Sequence, residues 1–519
     1  MTTTKRCLPF LKKNRWANNI TVKHHKPNDQ SGGAVIAAGG FGCLFAPHLR
    51  CSRHATLKST GPNTQMPKHN RQSKTQKQIT KLMLTKNAEY EFDLIVQFKK
   101  VLKHIPNYGK YFILDNITLC RPAKMTANDL KNFKQKCSAL QKRRISVPSE
   151  VQHELALTAK PKSSDSSSSS PLTSLQTENR TIRISADNIN HPYIRRQLKM
   201  LHMPFGGEPV DDYIQNAFNN NTSFSSFSSS FSSSSSSSSS FKQHITQLHS
   251  KLTELYHCAI KEMNKRHVYH CDLKDANVLV LMEDNHLFVR IIDQGLAILD
   301  NPTKHKSPPE NLRGRSLQYN LPYSTILFNK TFNSFVEQQI APLAQEVAPN
   351  RIEVHVLRPL ITAFINEWFE VRGEGHIAFV HEIEENVNAN TTSVTAVTNQ
   401  TTNNHELKKQ ILEHEPIVTY LLNIVREFMT TTTTAFMTTK YVFDMQQYYR
   451  NVFLPSVDLW GFICVYYSLV QCVNTQAVRD AYQHLLVNVL YKNACTPIPE
   501  NDMLTGLDAL VTAALSNEV

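Results

Sequence analysis

Apolar residues recur along this chain with recognisable periods, and long polar tracts separate the stretches that carry them. "QITKLML" (78–84) predicts a short strand, and it leads into "EFDLIVQFKKVL", where Leu94, Ile95, Phe98, Val101 and Leu102 recur at the spacing of one helical face. "KYFILDNITLC" predicts another strand, and "LKMLHMPFGGEPVDDYI" a strand followed by a turn. Between Phe241 and Arg266, the positions Ile245, Leu248, Leu252, Leu255 and Met263 predict a long amphipathic helix. Directly after it stands "HVYHCDLKDANVLV" (267–280), and then the apolar run "VRIIDQGLAI". The last apolar stretch, "WGFICVYYSLVQCV" from Trp460 to Val473, is short of the roughly 20 residues that a membrane span needs and predicts a buried core helix. No repeat of fixed period is visible.

The polar tracts divide the chain. Residues 1–30 form a basic arm without a period, expected to be flexible. Residues 31–205 make a first region, with insertions expected at 48–77 and at 123–195, the latter containing the serine tract Ser163–Ser170. Residues 206–519 make a second, with a Ser-rich insertion at 222–240 that has too little apolar surface to order itself, and a large insertion at 331–454. The large insertion contains the Thr/Asn-rich tract 388–404 and the Thr run 430–434.

Charge alters this picture at one end. The 519 residues carry 57 Lys or Arg against 43 Asp or Glu, a net charge of +14. The first 100 residues hold 18 basic against 4 acidic side chains, so the excess sits there and the remainder is neutral. An arm bearing Lys5, Arg6, Lys12, Lys13 and Arg15 suits a nucleic acid or an acidic protein, and equally a solvated tail. Ten Cys occur without a CxxC pair, and no apolar leader precedes them, so neither a zinc ribbon nor a secreted disulfide framework is indicated. The expected setting is intracellular and reducing.

The candidate chemistry lies in 267–298. "HCDLKDANVLV" resembles the catalytic loop of eukaryotic-type protein kinases, HRDLKxxN, and "IIDQG" resembles their metal-binding DFG. Moving a γ-phosphoryl group takes a carboxylate to orient the acceptor hydroxyl, a cation near the phosphate, and an amide with a second carboxylate to hold Mg²⁺. The resemblance implies these roles for Asp272, Lys274, Asn277 and Asp293, with Asn277 and Asp293 as the metal ligands for Mg²⁺ or Mn²⁺. "AAGGFGCLF" resembles the family's glycine-rich phosphate loop, with Gly39 and Gly42 as its second and third glycines and Ala37 where the first would stand. The ATP cradle then runs over Ile36, Ala37, Ala38, Gly39, Gly40, Phe41, Gly42, Cys43 and Leu44, with Phe41 capping the nucleotide.

Two lysines are candidates for anchoring ATP, Lys58 and Lys81. Lys81 is preferred because its strand runs into the helix bearing Glu91, which shares the inward face of Leu94, Ile95 and Phe98 and would pair with it; Glu89 does not share that face. By the same resemblance the adenine strap is His202, Met203 and Pro204, with Met203 against the nucleotide. Pro204 would stand where a backbone N–H is usual, removing one hydrogen bond and about 0.5–1.5 kcal/mol of binding. "SVDLWGFI" resembles the helix that supports the catalytic loop, Asp458 accepting hydrogen bonds from the loop backbone.

The whole set is most similar to divergent serine/threonine kinases of large double-stranded DNA viruses, iridovirus-like ones in particular. It implies an α+β, bilobal protein-kinase-like fold with a small β-rich N-lobe and a larger, mainly helical C-lobe, interrupted by low-complexity insertions. It implies ATP and Mg²⁺ as cofactors, protein Ser/Thr hydroxyls as acceptors, and host cytoplasm or virion as location. Three departures stand out: Cys271 replaces an Arg that reads phosphate on the loop between Asp293 and Pro322, Gln294 replaces the DFG Phe, and "NLPYSTILF" stands near the place of a missing APE. The alternatives are a catalytically impaired pseudokinase scaffold, and a nucleic-acid-binding or virion-associated protein acting through the basic N-terminus.

Overall fold

The computed structural model describes residues 33–52, 58–60, 77–158, 180–223, 236–284, 286–304, 307–344, 352–388, 415–433 and 439–516. The basic arm, the tract Ser163–Ser170 and nearly all of 388–404 lie outside them. The fold is mixed α+β, with an antiparallel sheet and a helical part. The chain divides into two compact units, Met1–Lys103 with Ile113–Gly206, and His104–Phe112 with Gly207–Val519.

The first unit contains strands β1 (Ala34–Ala38), β2 (Gly42–Ala46), β3 (Lys58–Ser59), β4 (Gln78–Leu84), β5 (Thr118–Cys120), β6 (Arg144–Val147), β7 (Arg180–Arg183) and β8 (Leu198–Pro204). Six of them form one antiparallel sheet in the order β1-β2-β4-β8-β5-β3, while β6 and β7 pair as a separate hairpin. Successive side chains of a strand point to opposite faces, so the sheet has two chemically different sides. On one side Val35, Cys43, Phe45, Leu82 and Met200 are buried. On the other lie Ala37, Leu44 and Ile79, with Ile36, Met203 and Phe205 packed against them. A bulge between Val35 and Ala37 turns both Ile36 and Ala37 to this second side.

The first side is covered by the described parts of 123–195, residues 123–158 and 180–195. Met125, Phe133, Leu140, Ile145, Val147, Ile184, Ile189 and Ile194 complete its core, so the segment expected as an insertion is part of the unit's hydrophobic interior. Its apolar residues are spread over pieces such as Phe133–Lys136 and Ser138–Gln141, too short to display a helical period. Helix α1 (Thr85–Leu102) follows β4 without a loop and buries Ala88, Glu91, Phe92, Ile95, Phe98 and Leu102. The sequence indicated no disulfide framework, and in this unit Cys43–Cys137 and Cys51–Cys120 are disulfides. Partners 94 and 69 residues apart leave no spacing signal in a sequence.

The second unit holds small sheets amid helices. β9 (Glu208–Pro209), β11 (Val278–Glu283) and β12 (His286–Ile291) form one, and β10 (Val268–Tyr269) pairs with β13 (Ile298–Leu299). The helix predicted over 241–266 starts earlier, at Ser236, and runs to Leu255 before a π-turn at Tyr256–Ile260 and a last helical piece at Lys261–Lys265. Ser236–Ser240 are thus helical, and Thr222 and Ser223 end the helix Val210–Ser223, which corrects the expected loop 222–240 at both margins. An established amphipathic helix extends into neighbouring residues at little cost, since propagation fixes one residue per new hydrogen bond.

Residues 331–454 are likewise part of the fold where described. Helices Val354–Arg372, Ile377–Asn388 and Glu415–Phe428 pack there, burying Leu357, Ile361, Phe364, Ile365 and Trp368. Thr430–Thr433 belong to a hairpin of β14 (Met429–Thr433) and β15 (Thr439–Phe443). Among the described residues one continuous helical stretch, Met445–Val473, is long and apolar enough to cross a membrane, and 94% of its most apolar window is buried inside the protein. Gly461 on it has no alternative: a Cβ there would stand 2.7 Å from the Leu273 carbonyl oxygen.

Two outcomes follow. Phe133→Ala should lower unfolding stability by about 3–5 kcal/mol in urea titration of the full chain; a loss below about 1 kcal/mol would make 123–195 an accessory layer. Burial, reinforced by Glu385, pushes the Glu382 carboxyl up to about 7. A raised folded pKa gives stability present below the unfolded value of about 4.5 and lost as pH rises through about 7. Melting temperature should therefore fall from about pH 5 to 7.5, and Glu382→Gln should flatten that slope.

Candidate active site

The segment 270–277 is held from beneath by one buried carboxylate. Asp458 Oδ2 accepts the His270 N–H at 2.9 Å and Oδ1 accepts the Cys271 N–H at 2.9 Å, as the sequence led us to expect. Burial pushes the Asp458 carboxyl up, against the two N–H groups and His270, which favour its charged form. Cys271 adopts a left-handed backbone conformation with φ 55°, a costly one for a residue other than Gly, Asn or Asp. Its thiol is fully buried, and burial pushes it well up, so it is not a nucleophile.

Asp272 is the focus of the polar groups above this support. Its Oδ1 accepts from Asn320 Nδ2 at 2.9 Å and its Oδ2 from Asn277 Nδ2 at 2.9 Å, while Lys274 Nζ lies 3.0 and 3.1 Å from the two oxygens. The carboxylate is buried, Lys274 half-buried. Asn277 Nδ2 also donates to the Asp272 carbonyl at 2.8 Å, which leaves Asn277 Oδ1 as the atom able to meet a cation. Asn277 and Asp293 flank paired strands: Val278 is opposite Ile291, and the Ile292 N–H donates to the Asn277 carbonyl at 3.0 Å. Asp293, half-buried, also has φ in the left-handed region at 61°. An amide oxygen next to a carboxylate is the hard-oxygen chemistry that Mg²⁺ takes, so the residues present fit the ion.

The first unit carries the other half of the expected set. Lys81 Nζ lies 2.8 Å from Glu91 Oε1, both side chains under 10% exposed. A buried ion pair gains little over apolar packing, so its presence asks for a reason other than stability. Lys81 is paired with Leu44 and Leu201 across the sheet and shares the side of Ala37, Leu44, Ile79 and Met203. Lys58 is exposed on the edge strand β3, and Glu89 pairs with Lys199 at 2.5 Å. Of the two lysines, Lys81 is buried with an acidic partner and Lys58 is exposed.

The glycine-rich segment is the tight turn from β1 to β2, closed by a hydrogen bond from Gly39 N–H to Gly42 O at 2.9 Å. Gly39 and Gly40 face open space, and Phe41 is 40% exposed at the tip. Gly42 answers to packing instead, since a Cβ would stand 2.5 Å from the Leu82 carbonyl. Strand alternation sends Ala38 and Cys43 to the side covered by 123–195, where Cys43 is bonded to Cys137. Those two of the nine expected cradle positions offer backbone only. At the strap, Pro204 lacks an N–H and the Phe205 N–H is taken by Lys77 O at 2.8 Å.

Several residues at the site gave no local signal. Arg315 donates to the carbonyls of Cys271 (2.9 Å), Leu296 (3.0 Å) and Asn311 (2.8 Å), tying the loop to the segment after Asp293. Asn320 lies within the quoted "LQYNLPYSTILF", yet only its contact with Asp272 marks it out. Arg143 donates to the Gly40 carbonyl at 3.3 Å. Gln294 is buried, and its Nε2 has no hydrogen-bond partner among the described residues. Burial, with Asp211 beside it, pushes the Asp275 carboxyl up to about 8.

No family model matches this chain, and no curated protein matches it. The supporting carboxylate is directly testable. Asp458→Ala leaves two buried N–H groups unpaired, at about 1–3 kcal/mol each. Amide exchange at His270 and Cys271 should accelerate and the urea midpoint fall; unchanged exchange at both would remove Asp458 from its role.

Proposed function

We propose that this chain is an ATP-dependent serine/threonine protein kinase with a bilobal protein-kinase-like fold. The observation that carries the reading is the arrangement around Asp272: a carboxylate fixed by Asn277 and Asn320, with an ammonium at its oxygens and Asp293 one hydrogen-bonded strand away. A protein or peptide hydroxyl would donate to Asp272, which orients it for attack and takes its proton as the bond to phosphorus forms. Lys274 would leave Asp272 for the γ-phosphate oxygens, where negative charge is transferred. Asn277 Oδ1 and the Asp293 carboxylate would hold Mg²⁺, or Mn²⁺, which neutralises phosphate charge when bound. In the first unit taken by itself, Lys81, paired with Glu91, is a cation suited to phosphate oxygens, and the apolar side formed by Ala37, Leu44, Ile79 and Met203 is suited to a nucleotide base.

Arg315 supports the reading that no phosphate is needed between Asp293 and Pro322 for order. Where Cys271 stands for an arginine, a guanidinium from 44 residues onward already joins the two segments through their carbonyls.

The test is transfer of labelled phosphate from ATP to a generic basic protein with Mg²⁺. Asp272→Asn should lower the rate by about two to four orders of magnitude. Lys81→Met should lower it comparably, whereas Lys58→Met should leave it unchanged. A folded wild type that binds ATP and transfers nothing would make the chain a pseudokinase scaffold.

A further inference from the structure

On the side of the sheet opposite Lys81, sulfur and imidazole gather. Among the described residues, Cys51, Cys120 and His202 offer donor atoms that all lie within 4.8 Å of one another. They come from three separately fixed pieces of backbone. Cys120 ends β5 and His202 lies on β8, where Thr118 is opposite His202 and Cys120 opposite Met200, so both side chains point to the same side. Cys51 forms a ladder bridge with Pro122, flanked by hydrogen bonds from Ser52 N–H to Arg121 O and from Ala123 N–H to Arg50 O, each 2.8 Å. A fourth donor is at hand: the His48 ring stands edge-on to His202 with centroids 5.2 Å apart.

We infer that Cys51, Cys120, His202 and His48 form a zinc site when the two cysteines are reduced. Tetrahedral Zn²⁺ with bonds of about 2.3 Å to sulfur and 2.0 Å to nitrogen needs ligand atoms about 3.5–3.8 Å apart. Cys51 Sγ lies 3.9 Å from His202 Nδ1 and 4.0 Å from Nε2; the two sulfurs separate to this spacing when the disulfide opens, and the exposed His48 side chain turns to complete the set. The two cysteine Cα atoms are 5.9 Å apart, near enough for both sulfurs to reach one ion without moving the strands. Packing alone does not account for His202: an imidazole beside a sulfur pair, buried next to an apolar core, occupies a position that an aliphatic side chain would fill.

The sulfurs have two exclusive states. As the disulfide they cannot ligate. A dithiol reductant supplies two electrons and two protons, cleaving the bond to two thiols and closing its own disulfide; Zn²⁺ then displaces both thiol protons to solvent. The ion would tie the Cys51 end of the polar stretch after β2 to the two strands leading toward Met203. This inference does not rest on the kinase reading.

The experiment is titration of the full chain, reduced and freed of thiol reagent, with Co²⁺ and then Zn²⁺. Expected are one equivalent of tetrahedral Co²⁺ with thiolate-to-cobalt absorption, displacement by Zn²⁺, and Zn²⁺ protection of Cys51 and Cys120 from alkylation. Cys51→Ser or Cys120→Ser should weaken Co²⁺ binding about a hundredfold or more, and His202→Ala or His48→Ala about tenfold to a hundredfold. Cys472→Ser should leave it unchanged. Two results on the wild type alone would overturn the inference, whatever the variants do: a reduced, folded chain with no thiolate–cobalt absorption, or a Cys51–Cys120 bond that persists under dithiol in the native protein, which would make the pair a permanent disulfide.

Discussion

A carboxylate taken wholly out of water must find donors, and Asp458 finds them in two consecutive backbone N–H groups. That requirement organises much of the second unit. The helix bearing Asp458 must approach the loop closely, so position 461 is glycine against the Leu273 carbonyl, and Trp460 donates its indole N–H to the Tyr319 carbonyl at 2.9 Å. With His270 and Cys271 pinned, the chain turns through a left-handed residue at Cys271 and delivers Asp272 to Asn277 and Asn320. The strain at Cys271 is local; the hydrogen bonds on either side of it are what make it tolerable.

In the first unit the corresponding constraint is the two-residue period of β4. One strand serves two interiors, placing Leu82 in an apolar core and Lys81 on the opposite side with Glu91. The covering of the first side by 123–195 leaves that ion pair in a sheet packed on both faces, where its geometry is held by the burial of α1.

What the sequence disclosed, and what it hid, follows from distance along the chain. Asp272, Lys274, Asn277 and Asp293 lie within 22 residues and could be read together. Glu91 was legible because a helical period ties it to Ile95 and Phe98, and the structure brings it to Lys81. Asp458 was legible only through the residues around it, "SVDLWGFI". Asn320, Arg315 and Arg143 reach their partners across 48, 44 and 103 residues, with no periodicity or spacing to announce them. The same holds for both disulfides. Alternation along β2, applied to Cys43 in advance, would have turned its side chain away from Leu44's side; reading the turn as one nine-residue loop obscured that. The serine tract 222–240 was misjudged at its margins, because Ser236–Ser240 take their structure from the helix they adjoin.

The Arg315 guanidinium holds carbonyl oxygens, which neither titrate nor carry any modification, and it keeps its own charge at every physiological pH. Because its acceptors are backbone atoms, replacing the side chains at 271, 296 or 311 leaves all three of them in place.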